Sequence, residues 1–144
     1  MRRLALALSF GLSMAGGAAA FAETAIPVAV ETPVVIGQSY ALPSAVMGRT
    51  REINVWLPPG YDKGSQTYPV LYLLDGGQDQ DFHHISGIAQ LGTIVGTTRD
   101  VIVVGIASVD RRNELALPTE NAELIARYPT QGQSERFRRF VGEE

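Results

Sequence analysis

The stretch Tyr68–Asp81, YPVLYLLDGGQDQD, decides how the rest of this 144-residue chain is interpreted. Within it, Val70–Leu74 is an unbroken apolar run that follows a proline and precedes a pair of glycines. A strand that is apolar on both faces belongs in the middle of a sheet covered on both sides, which is typical of parallel α/β sheets. We therefore expect Val70–Leu74 to be a central strand.

Two glycines, Gly76 and Gly77, come just after that run. Glycines past the carboxyl end of a strand let the backbone turn sharply and leave its N–H groups exposed. Ligands bind at this end of open α/β sheets. The pattern is equally compatible with an ordinary glycine turn. From these residues alone, Gly76-Gly77 can be interpreted either as a binding loop or as a plain turn.

Composition excludes several classes of protein. A hydrophobic content of 45% and a charged content of 19% are ordinary for a globular domain, and the length is sufficient for one domain with a core. The formal net charge of −3 gives no basic surface for nucleic acid. The sequence contains no cysteine, which excludes disulfides and cysteine-based metal sites.

Residues 1–22 have the pattern of a secretory signal peptide. Arg2 and Arg3 precede an apolar segment over residues 4–14, and Ala20–Ala22 forms an A-x-A cleavage site. The apolar segment is too short to be a convincing membrane span, although an uncleaved anchor is the alternative. We expect cleavage after Ala22 and a periplasmic or secreted protein without a membrane span.

The segments before the apolar run predict an extended leader and a hairpin. Residues 23–43 are expected to form the leader, and a weaker strand pattern over 38–47 is broken by Pro43. A turn at Gly48-Arg49 leads into Arg51–Leu57, which alternates apolar and polar residues. That alternation predicts a half-buried strand near an antiparallel edge, with Ile53 on its apolar side.

The segments after the run predict a βαβ unit and a further helix. Asp81–Thr97 has a helical pattern and 101–107 is a second apolar strand. The polar segment 110–133 is long enough to suggest a functional or disordered loop. A last helix is expected from Ser134. Its acidic end, Glu143-Glu144, is unfavourable at a helix C-terminus, which predicts that this helix continues.

As an ordered set, these segments resemble the esterase family of the α/β-hydrolase fold that contains the esterase D-like and enterochelin-esterase-like enzymes. The matching segments are Ser44–Gly48, Arg51–Pro59, Tyr61-Asp62, Tyr68–Gly76, Ile102–Ile106, Asp110–Thr119 and Arg136–Phe140. The resemblance implies an α/β fold whose mostly parallel sheet has a leading antiparallel hairpin. It also implies a serine hydrolase of small-molecule carboxylic esters that needs no cofactor, with residues 44–144 as the N-terminal portion of its domain. Siderophore esters, acyl-thioesters and sugar esters are all compatible substrates.

The chain departs from the family pattern in one respect. Family members continue into a G-x-S-x-G nucleophile elbow, then an acid, then a histidine, and none of these follows here. Ser86 lies in the helical segment HISGI, without the strand-to-helix turn that exposes a nucleophile. We therefore expect an N-terminal fragment, inactive alone and truncated before the elbow. The alternative is a non-catalytic binding or interaction domain derived from this fold.

The resemblance assigns an oxyanion role to the glycine loop. In α/β-hydrolases one oxyanion N–H comes from the loop after the third strand. Gly77 is expected to supply that N–H, while Gly76 is needed for the turn. The alternative is a plain turn.

A nearby cluster of acids and histidines, Asp79, Asp81, His83 and His84, is not expected to bind metal. Adjacent histidines on a helix point about 100° apart and do not converge on one ion. The aspartates miss the alternating calcium-loop spacing. We expect Asp81 to cap the helix and one histidine to line the mouth of a substrate cleft.

The segment after the second buried strand begins with Asp110-Arg111-Arg112. Because a triad acid follows the nucleophile in chain order, Asp110 is expected to be structural. Arg111 or Arg112 could contact an acidic substrate, but a solvated or ion-paired arginine is favoured. Trp56 and Tyr72 are expected to be core or sheet-surface aromatics.

Overall fold

The computed structural model describes residues 29–144, so the expected signal peptide and the first part of the leader lie outside the described residues. The fold reported below is that of residues 34–144, which form one compact unit. Across residues 29–144, no helix combines the length and the apolar character that crossing a bilayer requires.

Four strands and four helices make up the fold. In chain order they are β1 Gln38–Ser44, β2 Arg49–Trp56, a 3₁₀ turn Tyr61–Lys63, β3 Val70–Leu74, α1 Phe82–Val95, β4 Ile102–Ile106, α2 Arg111–Leu115, α3 Ala122–Arg127 and α4 Ser134–Glu143. The sheet has the order β1-β2-β4-β3. β1 and β2 form an antiparallel hairpin, β4 is antiparallel to β2, and β3 is parallel to β4. The expected α/β class with a leading hairpin is confirmed, and the β3–β4 pair is its parallel part.

Strand β3 lies at an edge of the sheet, and the expectation of a central strand is wrong for the described residues. β4 inserts between β2 and β3, so no described strand pairs with the other side of β3. As a result Val70 is 44% exposed and Tyr72 is 60% exposed. The apolar run therefore marks a strand with an uncovered edge.

Apolar clusters lie on the two faces of the sheet. Ile106 packs with Met47 of the hairpin turn and with Phe137 and Phe140 of α4. Val103 is three residues earlier on β4 and therefore points to the opposite face. There it packs with Trp56 of β2 and with Phe82 of α1. The helices α1 and α4 thus cover opposite faces.

Strand β2 also buries polar side chains, which the alternation of its sequence did not predict. Arg51 and Asn54 are almost fully buried, whereas Leu57 lies past the end of the strand and is 40% exposed. The Arg51 guanidinium donates to Glu114 Oε1 at 2.5 Å and to Ala107 O at 2.6 Å. It also lies 5.6 Å from the ring centre of Phe137. These partners replace water at the two terminal nitrogens of the guanidinium, whereas its Nε has no hydrogen-bond partner among the described residues.

The polar segment 110–133 contains two short helices instead of one long structureless loop. Asp110 caps α2 by accepting the Asn113 N–H at 3.0 Å. Asn121 caps α3 by accepting the Leu124 N–H at 3.2 Å. Asp and Asn are preferred at this position because their oxygens satisfy the free N–H groups of the first turn.

The acidic end of α4 has partners within the described chain. Glu143 pairs with Arg139 one turn earlier at 3.0 Å. Glu144 accepts from Ser44 Oγ at 2.5 Å and from the N–H groups of Ala45 and Val46 at 3.0 and 3.1 Å. These hydrogen bonds, led by that from Ser44, lower the pKa of Glu144. Hydrogen bonds from the β1–β2 turn therefore stabilise Glu144 at a helix C-terminus, where the helix dipole disfavours a negative charge.

Candidate functional site

The loop after β3 begins with a residue in the left-handed region. Asp75 has φ of 54°, so the turn begins with an aspartate in a conformation that L-residues seldom adopt. Aspartate is among the residues that tolerate this conformation best. Its Oδ2 accepts from Arg111 Nε at 2.8 Å, and its carbonyl accepts the Asp81 N–H at 2.9 Å. The turn is thereby closed on itself and tied to α2.

Gly76 lacks a side chain because β4 passes too close. A Cβ placed on it would lie 2.4 Å from the Cα of Gly105, a backbone atom that cannot move away. The Gly76 N–H donates to Ile106 O at 2.9 Å. Gly76 is therefore a packing residue whose N–H belongs to the contact between the β3 loop and β4.

Gly77 presents its N–H to a side chain. The residue is buried, and its N–H donates to Gln80 Oε1 at 2.9 Å. A Cβ on Gly77 would lie 2.8 Å from that same oxygen, which is the end of a flexible side chain. A rotation of Gln80 that also breaks its two hydrogen bonds to Ser108 would release this N–H to another acceptor, whereas the N–H of Gly76 is bonded to a backbone carbonyl.

Polar groups of β2 support the loop from below. Asn54 Nδ2 donates to Gly76 O at 2.9 Å and to Glu52 Oε1 at 2.8 Å. The same Glu52 oxygen accepts the Gln78 N–H at 3.2 Å. Sequence reasoning missed these residues and Gln80. The available signal was the presence of Glu52 and Asn54 on a strand beside a glycine loop.

Two carboxylates beside the loop, Asp75 and Asp110, are held by hydrogen bonds. Burial raises the pKa of Asp75, but the hydrogen bond and charge of Arg111 outweigh it, so the pKa lies below its ordinary value. Hydrogen bonds from Thr130 and from the Asn113 N–H lower the pKa of Asp110. Both carboxylates are held ionised in structural contacts. The predicted structural role of Asp110 agrees with its position at the N-cap of α2, and the ion pair favoured for the arginines forms at Arg111.

The cluster after the glycines is spread over the start of α1. Asp81 is the N-cap residue as expected, but its side chain makes no capping hydrogen bond. His83 and His84 are exposed. His83 lines a cavity of about 220 Å³ together with Asn54, Gln78 and Phe82. Within residues 29–144, no three acidic or histidine side chains come together as metal ligands.

The remaining candidates have structural surroundings. Ser86 is fully buried within α1 and does not lie on the strand-to-helix turn that exposes a nucleophile. Arg112 lies 4.4 Å from the ring centre of Tyr128. Trp56 is a core residue, whereas Tyr72 is exposed on the open edge. Of the candidate site residues, Gly76 and Gly77 lie at the carboxyl end of β3, and Arg111 reaches the same loop through its ion pair with Asp75.

The sequence matches the profile of one protein family. The family is described as "Putative esterase", and the match covers residues 44–144. No curated protein matches the chain.

Several solved structures share the fold. An IroE-like serine hydrolase from Shewanella oneidensis is 32% identical with a TM-score of 0.58, and the match covers 75% of this chain and 36% of that one. The BES protein from Bacillus cereus is 20% identical with a TM-score of 0.62, covering 82% of this chain and 48% of that one. A protein from Capnocytophaga ochracea is 20% identical with a TM-score of 0.59, covering 75% and 27%. The chain thus spans less than half the length of each of these structures.

Proposed function

Because the chain belongs to the esterase family whose profile it matches, we propose that it supplies the N-terminal part of an exported serine esterase that hydrolyses carboxylic esters. The observation that carries the proposal is the loop after β3, where the N–H of buried Gly77 is held only by a side chain. A movable acceptor leaves this donor available to a substrate oxygen at the end of the sheet where ligands bind.

In this proposal Gly77 donates to the oxyanion and the described residues provide one wall of the active site. Acyl transfer also needs a nucleophile, a base and an acid that orients the base. The chain corresponds to 36% of the Shewanella serine hydrolase and 48% of the Bacillus protein. We propose that the three catalytic groups come from sequence beyond these residues and that the 144-residue chain is inactive alone.

A chromogenic acetate or butyrate ester tests the proposal. The protein translated from the complete reading frame should hydrolyse it, and replacing the serine of its G-x-S-x-G elbow with alanine should abolish turnover. The 144-residue chain should give no turnover above buffer. Turnover by that chain that disappears in Ser86→Ala would overturn the fragment proposal, and an inactive complete protein would favour the binding-domain alternative.

Export is the second part of the proposal and rests on the Arg2-Arg3 start and the A-x-A site at residues 20–22. Mass spectrometry of the exported protein should identify Glu23 as its first residue. An intact Met1 on the exported form would contradict cleavage.

A further inference from the structure

The side chain of Gln80 joins the two loops that follow the parallel strands. Its Oε1 accepts the Gly77 N–H at 2.9 Å and the Ser108 N–H at 3.1 Å. Its Nε2 donates to Ser108 O at 2.9 Å. One amide group thus makes three hydrogen bonds, one to the loop after β3 and two to the backbone just past β4.

This arrangement uses the full chemistry of an amide. Only a side-chain amide offers a carbonyl that can accept two hydrogen bonds beside an NH₂ that can donate. Two other side chains contact the loop after β3: Asn54 of β2 donates to Gly76 O, and Arg111 of α2 pairs with Asp75. Neither of them contacts the N–H of Gly77. Gln80 is the described side chain that does.

We infer that Gln80 is a positioning residue for the oxyanion donor of the proposed esterase. Its Oε1 fixes the direction of the Gly77 N–H while no substrate is present, and its paired bonds to Ser108 orient the amide. When the reaction builds negative charge on the substrate oxygen, that oxygen replaces the neutral Oε1 as acceptor of the Gly77 N–H, or shares this N–H with it. The exchange is favourable because a hydrogen bond to a charged acceptor is about twice as strong as one to a neutral acceptor.

The inference rests on the proposed esterase function for its kinetic consequence, but its structural part can be tested separately. Amide hydrogen exchange followed by NMR reports on Gly77 and Ser108 individually. In Gln80→Ala, both amides should exchange about five- to tenfold faster, the effect of losing one net hydrogen bond each. Gln90→Ala, on the exposed side of α1, is the matched control and should leave both rates unchanged. Unchanged exchange at both amides in Gln80→Ala would overturn the inference.

The kinetic arm uses the protein from the complete reading frame. Gln80→Ala should lower kcat about tenfold with little change in KM, because a misdirected donor affects the transition state more than substrate binding. A purely structural role would lower the melting temperature without this split between kcat and KM. A folded Gln80→Ala variant with wild-type kcat would contradict the inference.

A second variant keeps the test decisive if Gln80→Ala does not fold. Gln80→Glu retains an oxygen that can accept the Gly77 N–H, so the Gly77 amide should stay protected. It has no N–H to donate to Ser108 O and places a carboxylate oxygen against that carbonyl, so the Ser108 amide should exchange faster. The carboxylate also puts negative charge beside the position where the oxyanion forms, so kcat should fall at least as far as in Gln80→Ala. A protected Gly77 amide with wild-type kcat would separate Gln80 from the reaction. If the unmodified protein hydrolyses no ester, the proposed function fails while the exchange experiment still decides the role of Gln80.

Discussion

The adjacent glycines of the β3 loop lack side chains for different reasons. Gly76 faces the backbone of Gly105, and a Cβ would lie 2.4 Å from its Cα. Gly77 faces the Oε1 of Gln80, which can rotate away. A methyl group added beside a rigid neighbour strains the structure, whereas a flexible neighbour can move aside and accommodate it. The first glycine therefore belongs to the packing of the sheet and the second to the site.

Substitutions at these glycines should separate stability from activity. Gly76→Ala should destabilise the protein by about 1 to 3 kcal/mol, the usual cost of forcing a methyl group into a packed contact. Gly77→Val should change stability less but lower kcat about a hundredfold in the complete enzyme, with a smaller effect on KM, because it crowds the oxyanion donor. Melting curves and steady-state kinetics on both variants measure the two effects. A folded Gly77→Val variant with unchanged kcat would remove this loop from the mechanism.

At the scale of elements, a buried ion pair connects the hairpin to the helices. The side chains of Arg51 and Glu114 are both fully buried and 2.5 Å apart. Glu114 also accepts from Arg49 at 2.5 Å and from the Val109 N–H at 3.2 Å. The aromatic rings of α4 lie against Arg51. This contact fixes β2, α2 and α4 relative to one another.

Breaking this pair from one side should be costly. Glu114→Gln leaves the buried guanidinium without a counter-charge and should destabilise the protein by about 3 to 5 kcal/mol. Arg138→Ala is the control, because Arg138 and Glu135 form a pair whose side chains are about 70% exposed, and exposed pairs contribute about 0 to 1 kcal/mol. Urea unfolding of the complete protein measures both.

The double variant Arg51→Leu with Glu114→Gln tests the reason for that cost. Its loss of stability should be smaller than the sum of the two single losses, since no unpaired charge remains buried. Strict additivity would show that the arginine and the glutamate act independently.

At the scale of the molecule, the open edge of β3 exposes apolar side chains next to unpaired backbone groups. Val70, Leu71, Tyr72 and Leu74 are between 44% and 60% exposed. An uncovered apolar strand offers unpaired backbone groups to other chains. The same strand carries the candidate site at its carboxyl end, so whatever covers this edge also shapes the site.

Residues 23–144 alone should therefore bind an apolar dye and self-associate. Tyr72→Lys should reduce both effects, because a charge on an edge strand opposes strand pairing. Tyr61→Lys, at an exposed tyrosine in the 3₁₀ turn, is the control and should have little effect. Light scattering and dye fluorescence report the outcome. A monomer with a sharp thermal transition and no dye binding would contradict this prediction and favour an independent binding domain.

The sequence predicted those features that depend on nearby residues. The apolar runs indicated β3 and β4, and alternation indicated β2. The position of β3 at an edge could not be predicted this way, because it depends on which strand β4 joins. The requirement for glycine at position 76 depends on Gly105, and the burial of Arg51 depends on Glu114. These features depend on contacts between residues far apart in the chain, and the sequence pattern of a single segment does not predict such contacts.

The geometry of the turn at Asp75 also affects how fast this aspartate isomerises on storage. Asp-Gly bonds rearrange to isoaspartate when the glycine nitrogen loses its proton, attacks the aspartate side-chain carbon and expels water, and water then opens the resulting succinimide ring at the main-chain carbonyl. The attack needs a nitrogen free of other partners and a backbone that can move. Here the Gly76 nitrogen is bonded to Ile106 O, and the Asp75 carboxylate is held by Arg111. Peptide mapping after long storage should therefore find little isoaspartate at position 75 in folded protein and much more in protein kept in urea. Arg111→Ala should accelerate isoaspartate formation in the folded state. The rate of isoaspartate formation at this one bond would therefore report how often the loop opens.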